Sequence, residues 1–162
     1  MKQYDTDGDG VISGEELEKL PSFEKALTRI DHNGDGAVSA EEIANRVREW
    51  QSSEIGRMVL TCSVNKGGQP LEGATVTFVP EEFLGDNLQT ATGVTDEHGV
   101  ASVSVPVADD KIRGVAPGWY RVRITKEGEN IPAKYNTETI LGLEVAPDDE
   151  ELAERAPIFE ID

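Results

Sequence analysis

The spacing of apolar positions changes partway along the chain. Leu17 and Leu20 stand three apart, Phe23, Leu27 and Ile30 fall at i, i+4 and i+7, and Ile43, Val47 and Trp50 keep that rhythm. Such spacing puts each set on one face of a helix. Pro21 ends the first segment, and Ser22 reads as the N-cap of the next. After Gly56 the period becomes two. Met58, Leu60, Cys62 and Val64 share a strand face in RMVLTCSVN, and Ala74, Val76 and Phe78 share one in ATVTFVP. In WYRVRIT, Tyr120, Val122 and Ile124 face one way while Arg121 and Arg123 face the other. GVASVSVPV, TETILGLEV and APIFEID read as further strands, punctuated by turn signals at Lys66-Gly67-Gly68, Asp96–Gly99, Pro117-Gly118 and Glu127-Gly128. The expected fold is multidomain, α followed by all-β. It places a small helical pair over residues 1–53 and an antiparallel β-sandwich of roughly six to seven strands over 54–162. The stretch QSSEIG joins them.

Composition supports two small cores and narrows the partners. Hydrophobic residues make up 37% of the 162, and acidic residues outnumber basic ones 32 to 15, a formal charge of −17. That field repels nucleic acid and anionic membrane surfaces and attracts cations. The longest charge-free apolar-leaning run, Gly99 to Ala108, falls short of the ~20 residues of a transmembrane helix. The single cysteine, Cys62, excludes an intramolecular disulfide. The opening MKQYDTDG carries no export signal; either the natural chain starts there and stays inside, or a signal has been removed.

The charge concentrates in a repeat: DTDGDGVISGEE at residues 5–16 and DHNGDGAVSAEE at 31–42. Calcium takes six to eight oxygens, which a twelve-residue loop supplies from alternating positions. In the first copy Asp5, Asp7 and Asp9 stand at positions 1, 3 and 5. Gly10 allows the sharp turn, Val11 offers its carbonyl, Ser13 stands at 9, and Glu16 closes the loop at 12. The second copy repeats the order with Asp31, Asn33, Asp35, Gly36, Ala37, Ser39 and Glu42. Ile12 and Val38 at position 8 would pair the two loops. Magnesium fits less well, since its octahedral geometry wastes a bidentate glutamate. This repeat resembles the EF-hand family, which implies two bound calcium ions. Too few residues precede the first loop for an entering helix, so the resemblance implies a first hand that is truncated or completed upstream.

The segments KGGQPLEGATVTFVP, GVTDEHGVASVSVP and PGWYRVRITKEG resemble the carboxypeptidase-regulatory-like, transthyretin-like β-sandwich family. IPAKYNTETILGLEV resembles versions in bacterial exported and lipid-anchored proteins. The resemblance covers about residues 57–162 and implies an accessory, supporting or adhesive module. It also implies an exported home, periplasmic, cell-surface or lipid-anchored, with the cytoplasm as the alternative. Two relatives of this sandwich are enzymes. The hydroxyisourate hydrolases close on Tyr-Arg-Gly-Ser where this chain ends PIFEID, and the iron dioxygenases need two site histidines. The histidines here, His32 and His98, lie in the second loop and in a turn. Cys62 sits on an apolar strand face and reads as an inert thiol.

The expected function is non-catalytic: two loops bind calcium and stabilise or orient a β-sandwich that meets a protein or cell-surface polymer. A calcium sensor, opening an apolar groove to a partner, is the alternative. The methionines that sensors favour are limited here to Met1 and Met58. Three further features carry their own expectations. PDDEE at 147–151 reads as a solvated turn. Trp119, beside Arg121 and Arg123, marks a partner patch or lies under its own loop. EEFLGDNLQTAT is a recognition loop, or Phe83 and Leu84 cap an open end of the sandwich. Calcium should shift Trp50 and leave Trp119 nearly unchanged, and residues 54–162 should fold without borrowing a core.

Overall fold

Pro21 starts the first α-helix instead of closing the segment before it. The ring fixes the backbone for a first helical position, where no amide hydrogen is needed, and α1 runs Pro21–Ile30 with Leu20 as its N-cap. Ser22 therefore caps nothing; its hydroxyl donates to Glu81 Oε1 at 2.7 Å. Ahead of α1 lie strand β1 (Val11–Ile12) and a 3-10 helix, Gly14–Lys19. After it come β2 (Val38–Ser39) and α2 (Ala40–Ser52). In α2 Ser39 is the N-cap, its hydroxyl oxygen accepting from the Glu42 amide while the Glu42 carboxylate accepts from the Ser39 amide at 2.9 Å. The computed structural model describes residues 3–85, 87–106 and 113–162. Met1, Asp86, Val107 and Ala108, which fall in segments read above, lie outside them. No helix among the described residues is long and apolar enough to cross a membrane.

The period-two segments form strands as their alternation requires. They are β3 (Leu60–Lys66), β4 (Gln69–Pro70), β5 (Ala74–Pro80), β6 (Ala91–Val94), β7 (Val100–Val103), β8 (Gly118–Lys126), β9 (Gly142–Val145) and β10 (Ile158–Ile161). A short helix, α3 (Glu150–Glu154), precedes β10. One sheet runs β6-β5-β8-β9; in the other β3 pairs with β10, β4 and β7. Leu60, Cys62 and Val64 from one sheet meet Ala74, Val76, Phe78, Tyr120, Val122 and Ile124 from the other in a shared core.

Two features depart from the expected sandwich. The described strands of the two sheets number eight, because β4 and β6 add to those read from the sequence. β6 was hidden in QTATGVT, where the strand itself buries one residue, Ala91, and leaves no hydrophobic alternation to read. One pairing is parallel: β10 lies beside β3 with Phe159 opposite Val64. Parallel neighbours cannot be joined by a hairpin, and here the chain bearing α3 crosses over from β9 in the opposite sheet to bring β10 beside β3.

The helical part rests on the outer face of β8 and β9. A second apolar cluster joins Ile12, Leu17, Leu20, Phe23, Ala26, Ile30, Val38 and Trp50 to Trp119 and Ala146, with Phe83 and Leu84 packed against it. Gly142 lets α1 approach: a Cβ there would lie 2.2 Å from the Pro21 carbonyl carbon and the Ser22 nitrogen. Trp119 is thus no patch for an outside partner, and Phe83 and Leu84 pack on the helical cluster and not over an open end of the sandwich. All three belong to the seam between helices and sheet.

Candidate metal centre

Each loop turns on glycine. Gly10 and Gly36 adopt φ of 94° and 79°, a region L side chains avoid. The chain then folds its acidic residues inward over its own amides. Asp5 accepts from Gly8 N at 2.7 Å and Gly10 N at 3.2 Å, and Asp31 accepts from Gly34 N at 2.7 Å and Gly36 N at 2.8 Å. Asp7 accepts from Asp9 N, Asp9 from Val11 N, Asn33 from Asp35 N and Asp35 from Ala37 N, so the two loops match residue by residue. These bonds curl each loop around its own amides.

In the first loop Asp5, Asp7 and Asp9 each bring a carboxylate oxygen within 4.8 Å of the others. Three like charges that close repel strongly unless a cation joins them. Glu16 reaches back from the 3-10 helix and accepts from Thr6 N at 2.6 Å, Thr6 Oγ1 at 2.8 Å and Ser13 N at 3.3 Å. The amide and hydroxyl of Thr6, followed by the Ser13 and Asp7 amides, hold its carboxyl below the usual range. Glu42 closes the second loop in the same way, accepting from His32 N at 3.2 Å, Ser39 N at 2.9 Å and Ser39 Oγ at 2.8 Å. Burial alone would raise its pKa; the donors from Ser39 and His32 outweigh that and lower it.

β1 and β2 pair antiparallel with Ile12 opposite Val38, both buried, so the two loops stand back to back. Oxygen donors on turns of this curvature, closed by a glutamate, suit a hard cation with a flexible shell. The donor set fits calcium. Asp5, Asp7, Asp9, Val11, Ser13 and Glu16 would hold one ion, and Asp31, Asn33, Asp35, Ala37, Ser39 and Glu42 another.

This arrangement, two acidic turns linked by a short strand pair and followed by helices, defines a calcium-loop lobe. A family model described as EF hand matches residues 1–21 and residues 23–47. That match and the Asp5/Asp7/Asp9 cluster give the protein an EF-hand region and support calcium binding. Comparison with curated proteins and with solved structures returned no match.

Sequence reasoning missed the residues that attach this lobe to the sheet. Glu144 on β9 is fully buried; Arg29 Nε donates to it at 2.5 Å and Arg46 Nε at 2.6 Å. Arg46, 2% exposed, also donates to Asp148 at 2.7 and 2.9 Å and to Glu49 at 2.8 Å. Burial opposes its charge, but the bonds to Asp148, Glu144 and Glu49 prevail and raise its pKa. Asp149 caps α3 through the Leu152 amide and meets Arg29 at 3.1 Å. The PDDEE stretch is therefore part solvated turn, part ion-pair anchor and helix start. A charge run gives no sequence signal of this, since partners far along the chain decide which carboxylates are buried.

Proposed function

We propose that this is a non-catalytic calcium-binding protein in which two loops each take one ion and hold the helical lobe against a β-sandwich. The observation that carries this reading is Trp119. It is fully buried, with ring centroids 4.3 Å from Trp50, 4.9 Å from Phe23 and 5.9 Å from Phe83. A sensor must present an apolar face to its partner on binding calcium. Here that face is filled by the protein's own strand, which favours a stabilising role over sensing.

The sandwich is an accessory module of the carboxypeptidase-regulatory-like type, by its resemblance in residues 57–162, and serves a protein or cell-surface polymer partner. Export to a periplasm or cell surface follows from the same resemblance. In calcium-rich surroundings even sites of about 0.1–1 mM dissociation constant stay filled. Calorimetric titration of metal-stripped protein should find two sites per chain, with Glu16→Gln and Glu42→Gln each removing or sharply weakening one. Zero stoichiometry, or two unchanged sites in Glu42→Gln, overturns the reading.

A further inference from the structure

Glu144 lies on β9, outside the EF-hand match, yet its two carboxylate oxygens hold the two helices that flank the second loop. Oε2 accepts from Arg29 in the last turn of α1, and Oε1 accepts from Arg46 on α2. Between these helices the chain is little more than the loop itself: α1 ends at Ile30, Asp31 follows at once, and α2 begins at Ala40. The loop hangs between the last turn of α1 and the first half of α2, which one buried carboxylate ties together.

We propose that Glu144 is a positioning residue for the second calcium loop, setting that loop's affinity by fixing the separation of its two ends. The inference rests on the calcium reading above. The loop's first donor, Asp31, moves with α1, and its last, Glu42, moves with α2. An ion needs both at one spacing. Where the spacing is set beforehand, little ordering cost is left for the binding step. Burial makes the tie stiff, because no water competes for the carboxylate. The neighbouring bonds keep the same register: Arg29 continues to Asp149 and Arg46 to Asp148, both in the segment after β9. Gly142, two residues before Glu144, holds the other end of α1 against the strand. The first loop differs. It runs into the 3-10 helix Gly14–Lys19, which supplies no partner to Glu144 among the described residues.

The test measures each loop separately in the full chain, using calcium as the probe. Glu16→Gln leaves the second loop to report, and Glu42→Gln leaves the first. Glu144→Gln is then added to each background. It keeps the side-chain shape and leaves Arg29 with Asp149 and Arg46 with Asp148 and Glu49, so the fold has other ties. Calorimetry should show the second loop weakened at least about fivefold, with the first loop unchanged. Unchanged affinity at the second loop, or equal loss at both, overturns the proposal. Should Glu144→Gln not fold, Arg29→Gln cuts the same tie from the α1 side and must give the same selective loss. Native protein that takes up no calcium would instead refute the calcium reading itself.

Discussion

The indole rings of Trp50 and Trp119 meet edge to face with centroids 4.3 Å apart, one on the helix that follows the second loop and one on β8. Neither indole N–H finds an acceptor among the described residues, so ring packing holds the pair, with the Arg46 guanidinium 6.0 Å from the Trp50 ring centroid. Aromatic pairs in this geometry are worth about 0.5–1.5 kcal/mol beyond the area they bury. The contact makes the tryptophans report on one seam and not on two separate units.

Both tryptophans should therefore respond to calcium. Without the ion, the crowded carboxylates of the first loop repel, and α2 loses the Glu42 bonds that fix its first turn. Trp119→Phe isolates Trp50, and Trp50→Phe isolates Trp119. Chelation should shift the emission of each to the red. A Trp119 signal that stays fixed while Trp50 moves would mean the strand side of the seam stays covered without metal.

A fragment of residues 54–162 keeps the shared core of the two sheets but exposes Trp119, Ala146 and the buried carboxylates Glu81 and Glu144. It should fold with β-type circular dichroism yet melt well below the full chain. In the full chain, Trp119→Ala should cost about 3–5 kcal/mol, as for other large buried aromatics. Trp119→Phe should cost much less, since it also removes an unpaired N–H. Denaturant unfolding of both variants checks this, and equal costs would argue against a packed seam.

The helix faces, the strand faces and the two loops were legible because each is encoded locally. Period 3.6 marks Phe23, Leu27 and Ile30, period two marks Cys62 and Val64, and each loop writes its donors within twelve residues. The seam was not legible. Trp119 alternates outward from the sheet core, and one strand cannot say whether water or a helix covers that face. Gly142 shows why a strand would carry a glycine only once Pro21 and Ser22 are seen against it. Pro21 misled for a related reason, since a proline can stop a helix or start one, and Leu20, buried ahead of it, decides for a start.

Cys62 faces the shared core and is fully buried, and burial pushes its thiol up to about 12. The thiolate is the reactive form, so a disulfide reagent should label native protein only through unfolding. Labelling should become fast in denaturant, and below about pH 10 the native rate should track unfolding. Prompt labelling of native protein would show that the strand is open at Cys62.

Glu81 offers a test of the seam by pH. It is 1% exposed, accepts from the Ser22 hydroxyl at 2.7 Å and from Arg121 Nε at 3.0 Å, and lies beside Glu82 and Tyr4. Burial raises its pKa above the ordinary 4.5, and the bonds from Ser22 and Arg121 only partly oppose this. In that window the folded state holds a proton the unfolded chain has released. Stability from this group is then full below pH 4.5 and is lost as pH rises through the folded value. Glu81→Gln keeps an acceptor for Ser22 but cannot titrate. The difference in melting temperature, variant minus parent, should therefore climb as pH rises from about 4 toward neutrality. The two proteins differ at no other residue, so every other contribution is common to both and cancels in that difference. A difference that is flat or falls with pH would mean the Arg121 pair, and not burial, governs Glu81.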